Sequence, residues 1–134
     1  METMGVASGK GQLHKHIHIA LKEWGSPSRK GIEPFFRLAV FRRRGLHRRL
    51  RVVEARLTLN MLLKNYIYEL GQLQPSIANV LLQRFSEHIT TKQIAYNMGA
   101  SIETVNRMQA AGIRYLADII WDDELLGESK EGQR

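Results

Sequence analysis

The sequence predicts an all-α fold, a multi-helix domain with a helix-turn-helix near its C-terminal end. Apolar residues recur at three- and four-residue spacings through most of the 134 residues, which is the periodicity of amphipathic helices. No run alternates apolar and polar residues as a half-buried strand would. Pro, Gly and Ser stand where the periodicity breaks, so they are predicted to separate the helices.

The N-terminal part is predicted to be helical and basic after a loose start. Residues 1–12 are small, polar and Gly-rich and are expected to be flexible. Residues 13–24 carry apolar side chains at helical spacings, and Pro34 suits the first turn of a short apolar segment. Residues 13–56 are therefore expected to form a basic helical part, which ends in an arginine-rich tract over 42–56.

The C-terminal part has a more regular pattern. A wide apolar stripe predicts one long helix ended by Gly71, and Pro75 starts the next helix. The inward-facing residues of these helices are predicted to be Leu59, Leu62, Leu63, Tyr66, Ile67 and Leu70, then Ile77, Leu81, Leu82 and Phe85. Residues 57–124 are predicted to form a helical domain, and residues 125–134 a loose polar tail.

Residues 91–116 have the spacing of a helix-turn-helix. Thr90 with Gln93 reads as a capping box that opens a short helix ending near Met98. Ser101 is a suitable N-cap for the last helix, and Glu103 in its first turn is favourable to the helix dipole.

The motif needs a small residue where its helices touch and a residue tolerant of positive φ in its turn. Ala95 and Gly99 are predicted to fill these two roles. The apolar packing positions are Ile94 and Met98 on the first helix and Val105 and Met108 on the second, with Ile113, Leu116 and Ile120 facing inward beyond them. An ordinary helical hairpin is the alternative.

Residues 70–116 resemble the C-terminal promoter-reading region of bacterial sigma factors and the related response-regulator output domains. The resemblance is carried by Leu73, Pro75, Arg84, Phe85, Thr91, Ile94, Ala95, Gly99 and the run from Ser101 to Val105, which match without a gap. It implies that the last helix faces DNA.

The resemblance implies a set of DNA contacts, with two departures. Thr91 and Lys92 would dock the first motif helix, and Ile102, Glu103, Asn106 and Arg107 would contact bases. Glu can accept from a cytosine amine, Asn can pair with adenine and Arg with guanine. Sigma factors commonly have basic residues where Ile102 and Ala111 stand here. The acids Asp118, Asp122, Asp123 and Glu124 follow, which makes this helix alone electrostatically poor for DNA.

A weaker resemblance covers more of the chain. The segments PFFRLAVFRR, EARLTLNMLLKNYIYELG and NRMQAAGIRYLADIIWDDE look like the helical segment in front of the ATPase domain of bacterial STAND-type signalling proteins. In those signalling proteins, the resemblance implies that the sigma-like fold serves protein interaction rather than promoter reading. This resemblance depends mainly on Asn106, Gln109, Leu116 and Glu124.

The positive charge lies outside the motif. Residues 1–56 hold thirteen Lys and Arg against four Asp and Glu, whereas residues 57–134 hold seven against nine. The tract contains Arg42, Arg43, Arg44, Arg48, Arg49, Arg51 and Arg56. These arginines could supply most of the non-specific affinity for DNA by neutralising phosphates. A solvated face or flexible loop is the alternative; RNA is less favoured, because no aromatic residues are interleaved for base stacking.

The sequence disfavours several other classes of protein. Cys is absent, which excludes disulfides and thiol chemistry, and no window suggests a membrane span or signal peptide. The chain is therefore expected to be cytoplasmic. Residues 5–11 resemble a phosphate loop only superficially, and His14 with His18 lack further metal ligands. We expect no enzyme activity, cofactor or metal.

The sequence thus favours a transcriptional regulator that binds double-stranded DNA through a sigma-like reading helix and an arginine anchor. RNA polymerase or a signalling protein is a further candidate partner. The alternative is a protein-interaction module of a signalling system, with the same fold and no sequence-specific DNA contact.

Overall fold

The computed structural model describes the backbone of residues 2–132 and the side chains of residues 9–127, and all regular structure in this range is helical. The helices are α1 (Glu2–Lys22), α2 (Ala39–Arg42), α3 (Val52–Gly71), α4 (Pro75–Leu81), α5 (Thr91–Met98) and α6 (Ile102–Gly132), with a 3₁₀ helix over Glu33–Arg37 and a π-helical turn over Leu82–Ser86. The predicted all-α class is confirmed.

Most predicted helix boundaries are also confirmed. α3 ends at Gly71, α4 begins at Pro75, and Pro34 lies in the first turn of the 3₁₀ helix. The inward-facing stripe of α3 is buried along its whole length. Of the four positions predicted for α4 and the turn after it, Leu81 and Phe85 are buried while Ile77 and Leu82 are half-buried against the core.

α6 is the central helix of the fold, because it contacts each of the other five helices. One main core joins apolar residues of α1, the 3₁₀ helix, α2, α3, α4 and α6. α4 approaches α6 closely at Gly112, where an added Cβ would lie 2.8 Å from Leu81 Cδ1 and 2.9 Å from Ile77 Cγ2. This contact fixes the position of the segment that leads into α5.

The N-terminal residues differ from the predicted flexible segment over 1–12. α1 begins at Glu2, and its residues pack on α6 from Gly9 onward. A Cβ at Gly9 would lie 2.7 Å from Cη2 of the Trp121 indole, and Lys10 forms a 2.7 Å ion pair with Asp118. Gly9 is therefore a contact residue, since a side chain at this position would force the Trp121 ring to shift.

The C-terminal residues differ from the predicted loose tail over 125–134. α6 continues through Leu125 and Leu126 to Gly132, and Gly127 is buried against the guanidinium of Arg43. The side chains of residues 128–134 lie outside the described residues. The division predicted at residue 56 falls inside α3, and the main core draws on both sides of it.

Candidate nucleic-acid interface

The start of α5 is fixed by a side-chain cap. Thr90 Oγ1 accepts a hydrogen bond from the backbone N–H of Gln93 at 3.1 Å, as the capping box predicts. The reciprocal half of the box is not formed, because Gln93 Nε2 donates to Asn97 Oδ1 at 2.9 Å. Gln93 and Asn97 are both exposed, so α5 presents a linked pair of amides to solvent.

The turn between α5 and α6 follows the predicted chemistry. Gly99 has φ +64° and ψ +34°, the left-handed conformation in which a side chain is strained. Ser101 Oγ then accepts from the backbone N–H of Thr104 at 3.1 Å, which caps the start of α6. The sequence thus determines locally where α5 stops and α6 begins.

A small second core holds the α5–α6 pair together. Ile94 and Ala95 of α5 are buried with Val105 of α6, and Val80 of α4 completes the cluster. Met108 packs at its edge, as expected. The packing role predicted for Met98 is wrong: this side chain is 42% exposed, because it lies past the contact at the last residue of α5.

Five of the six motif residues predicted to contact DNA are exposed. Ile102, Glu103, Asn106 and Arg107 lie in the first two turns of α6, and Lys92 lies in the first turn of α5. Thr91 is half-buried. Arg107 Nη2 lies 3.3 Å from Thr104 Oγ1, so its guanidinium is held beside the first turn of α6.

Arg114 is an exposed residue that sequence reasoning did not include. It lies seven residues, or two helical turns, after Arg107 and therefore on the same side of α6. This spacing is the signal that could have found it. Ala110 lies between the two arginines and is also exposed. The face thus carries two cations separated by a small residue.

Part of the arginine tract lines an open cleft of about 520 Å³ formed by Phe36, Arg42, His47, Arg48 and Arg49. Arg42 Nη1 donates to the Phe36 carbonyl at 3.2 Å. Arg48 pairs with Glu33, and its guanidinium lies 5.3 Å from the centroid of the Phe36 ring. The side chains of Arg42, Arg48 and Arg49 remain exposed, so this cleft can receive an anion.

Two arginines of the tract face the C-terminal half of α6. The Arg44 guanidinium lies 5.4 Å from the Tyr66 ring centroid and 4.0 Å from Asp123 Oδ2. Arg43 packs against Gly127. Both side chains keep exposed area, but these contacts attach the tract to α6.

Arg56 does not belong to the exposed tract, which corrects the predicted phosphate anchor over 42–56. It is only 4% exposed, and its Nη2 donates to the backbone carbonyls of Ser28, at 3.0 Å, and Lys30. Burial lowers the pKa of Arg56 from its usual range. The residue therefore holds the loop after α1, because it lies on the core-facing side of α3. Arg51, at the start of α3, is exposed and pairs with Glu54 at 3.9 Å.

The acids of α6 bind the basic N-terminal half of the molecule. Asp118 pairs with Lys10, and Asp123 Oδ2 accepts from the Tyr66 hydroxyl at 3.0 Å. Burial and this hydrogen bond to Asp123 raise the pKa of Tyr66 above its usual range. Glu124 is buried and accepts the backbone N–H groups of Ala39 and Val40 at 3.1 and 3.0 Å. These acids therefore have structural partners, whereas the sequence alone suggested only unfavourable charge.

The exposed start of α6 and the arginine tract are well separated. Asp123, the partner of Arg44, lies sixteen positions after Arg107 on the continuous helix α6, which corresponds to about 24 Å. The two predicted sets of DNA contacts are therefore not one continuous patch. They are two surfaces connected by α6.

Comparison with known proteins adds no family assignment, since no family model, curated protein or solved structure matches this chain. Among the described residues no helix is both long and apolar enough to cross a bilayer. In the same part of the chain no three His, Asp or Glu side chains gather as a metal site would require. Functional inference therefore depends on the fold and its exposed side chains.

Proposed function

We propose that the protein is a DNA-binding transcriptional regulator in which the α5–α6 pair acts as a helix-turn-helix. The main support is the exposed polar start of α6, which carries Glu103, Asn106 and Arg107 on a helix fixed by the Gly99 turn and the Val105 contact. A rigid helix with exposed polar residues at its N-terminal end suits insertion into the major groove. The resemblance to sigma-factor promoter-reading regions agrees with this proposal.

Base contacts come from the first two turns of α6. Arg107 suits guanine, Asn106 suits adenine, and Glu103 suits the cytosine amine, while Ile102 can pack on a thymine methyl group. Thr91 and Lys92 dock the start of α5 on the backbone. Arg114 extends this surface and contacts a phosphate.

Phosphate anchoring falls mainly to the arginines around the Phe36 cleft. Arg42, Arg48 and Arg49 are exposed there, and each phosphate that they neutralise releases condensed counterions. Arg43 and Arg44 mainly attach the tract to α6, and Arg51 lies at its edge. The protein thus grips the backbone at one surface and reads bases at the other.

A protein-interaction module is the second candidate function, and one observation favours it. Tyr96, Met98 and Ile102 are 82%, 42% and 46% exposed and lie on or next to the α5–α6 turn. Large exposed apolar side chains are more typical of a protein contact than of a DNA-facing surface. RNA polymerase or a signalling protein would be the partner under this alternative.

The deciding experiment compares the parent with the double variant Asn106→Ala/Arg107→Ala on DNA. A preferred duplex is first selected from a random pool with the parent protein. Affinity for this duplex and a scrambled one is then measured at one salt concentration. We expect the double variant to discriminate less well, by about 1–3 kcal/mol for each base contact that is removed, while keeping its affinity for scrambled DNA.

A matched control removes the same residue types elsewhere. Asn79→Ala/Arg37→Ala takes one amide and one positive charge from exposed positions outside both proposed surfaces and should leave discrimination unchanged. The free energy of unfolding of both double variants should lie within about 0.5 kcal/mol of that of the parent, because all four side chains are exposed. If the selection enriches no sequence, base reading is contradicted and the interaction module is favoured. The same conclusion follows if the parent and the Asn106→Ala/Arg107→Ala variant discriminate equally between the selected and the scrambled duplex.

A further inference from the structure

A cavity of about 450 Å³ lies between α1, the 3₁₀ helix and α6, and it shares no lining residue with the Phe36 cleft. Its apolar lining comes from Leu13, Pro34, Phe35, Leu38 and Trp121. We name it the Trp121 cavity. Sites for small organic ligands have volumes in this range and combine apolar walls with a few polar groups.

The Trp121 indole forms one wall of the cavity because α1 approaches this ring at a glycine. A Cβ at Gly9 would lie 2.7 Å from Cη2 and 3.3 Å from Cζ2 of the indole, so the ring contacts α1 directly. Trp121 is half-buried. A flat aromatic wall of this kind suits another ring, which can stack on it or meet it edge to face.

Three polar side chains line the same cavity, namely Gln12, His16 and Arg37. Gln12 and Arg37 are exposed, and His16 is half-buried. Within the part of the chain that the structure describes, none of the three side chains forms a hydrogen bond or an ion pair. Their polar atoms are therefore available to a ligand, whereas the apolar walls around them offer no partner.

The charge of the cavity is positive. Burial lowers the pKa of His16, and the positive charges of Arg37 and Lys15 lower it further, so the imidazole is neutral at neutral pH and Arg37 supplies the charge. Among the described residues no carboxylate lines the cavity. Glu33, in the same 3₁₀ helix as Arg37, pairs with Arg48 instead. A ligand with one negative charge would complement this lining.

We propose that the Trp121 cavity binds a small aromatic carboxylic acid. The carboxylate accepts hydrogen bonds from the Arg37 guanidinium, whose planar fork matches its two oxygens, and the ring packs against Trp121. Gln12 and His16 supply further hydrogen bonds. A phosphate group fits this site less well, because a single guanidinium among apolar walls would leave its second charge without a partner.

The first test is a titration of the full chain with phenylacetate, followed by NMR of the indole N–H signals. The chain has two tryptophans, and Trp24 lies beyond the end of α1 and outside the cavity lining. Phenylacetate should shift the Trp121 signal and leave the Trp24 signal in place, with a dissociation constant of about 0.1–10 mM for so small a ligand. The titration contains no DNA and the DNA experiments contain no such acid, so the two proposals are tested separately.

Two further probes separate the carboxylate from the ring. Phenylacetamide keeps the shape of phenylacetate without its charge, and acetate keeps the charge without the ring. Each should bind at least about threefold more weakly than phenylacetate, because each loses one of the two proposed contacts. If phenylacetamide or acetate binds as tightly as phenylacetate, the assigned ligand class is wrong.

The second test removes the charge of the cavity. Arg37→Gln should raise the dissociation constant of phenylacetate about threefold to tenfold and leave that of phenylacetamide nearly unchanged. The effect is limited to this size because Arg37 is exposed and solvent screens its charge. Arg29→Gln is the matched control, since Arg29 is an exposed arginine outside the cavity lining and should not affect either probe.

Circular dichroism of both arginine variants should match the parent, because neither side chain lies in the core. A Trp121 signal that does not respond to phenylacetate would overturn the proposal. Equal dissociation constants of phenylacetate for Arg37→Gln and Arg29→Gln would also overturn it, since the acid would then not contact Arg37.

Discussion

At the scale of single residues, Gly99 shows how one position determines local geometry. Its φ of +64° lets the chain leave α5 and return over Ile94 and Ala95 within three residues. No heavy atom lies within 4 Å of the place where its Cβ would be, so backbone conformation is what requires glycine here.

Gly99→Val is therefore expected to lower the free energy of unfolding by about 1–3 kcal/mol, since a β-branched residue is strained at positive φ. Thermal melting followed by circular dichroism measures this. Gly11→Ala is the control: Gly11 is an exposed helical residue with open space around it, and alanine there should be neutral or stabilising. A Gly99→Val protein that melts at the parent temperature would show that the turn is not as described.

Single-residue roles were predictable from the sequence when they depended on near neighbours. Thr90, Gly99 and Ser101 act on groups within five residues, so their spacing was enough. Arg56 reaches carbonyls 26 and 28 residues away, and no local pattern distinguishes it from the exposed arginines before it. The prediction that Met98 packs was wrong for the same reason. Whether this side chain is buried depends on how α5 packs against its neighbours, which residue spacing alone does not specify.

At the scale of elements, α2 cannot be stable by itself. It has four residues, and a helix this short is unfavourable in water without tertiary support. Glu124 of α6 supplies part of this support, because its carboxylate accepts hydrogen bonds from the first two backbone N–H groups of α2. The α2 side chains of Ala39, Val40 and Phe41 are also buried in the core. α2 then holds the beginning of the arginine tract in place.

Glu124→Ala should lower the free energy of unfolding by about 1–3 kcal/mol, because two buried N–H groups lose their acceptor. Chemical denaturation measures the change, and amide hydrogen exchange should show faster exchange at Ala39 and Val40. Asp122→Ala removes an exposed acid two residues earlier and should change stability by no more than about 0.5 kcal/mol. Equal stability of these two variants would argue against the capping role of Glu124.

The long helices were predictable, and the contact between α2 and α6 was not. α3 has enough turns for its apolar period to be visible, and Gly71 and Pro75 mark its boundary with α4. The cap on α2 comes from a residue 85 positions away, which periodicity cannot reveal. The acids of α6 were therefore interpreted only as charge that is unfavourable to DNA binding, although folding brings three of them against the N-terminal half.

At the scale of the whole molecule, the separation of charge along the sequence is partly removed by folding. Lys10 and Arg44 approach acids of α6, and Arg48 pairs with Glu33, while the side chains of Arg42, Arg48 and Arg49 stay exposed around the Phe36 cleft. The basic surface available to a polyanion is therefore smaller than the count of arginines suggests.

Under the proposed function, replacing these three cleft arginines by Ala should make the plot of log affinity for a scrambled duplex against log salt shallower. The slope should change by about 0.9 for each phosphate that is no longer neutralised. Arg44→Ala is the comparison, because this side chain stacks on Tyr66: it should lower the melting temperature and leave the slope nearly unchanged. If Arg44→Ala changes the slope and the three cleft replacements do not, the phosphate-binding side chains lie outside the Phe36 cleft.

The central position of α6 also has a consequence for how the chain folds during synthesis. The helices α1 to α5 all pack against α6, yet α6 is the last of these six to leave the ribosome. Until then the apolar residues of α1, such as Leu13 and Ile17, have no α6 to cover them, and closing the loop between these distant helices is entropically costly. The nascent protein therefore passes through a stage of exposed hydrophobic surface, in which chaperone binding or aggregation competes with folding.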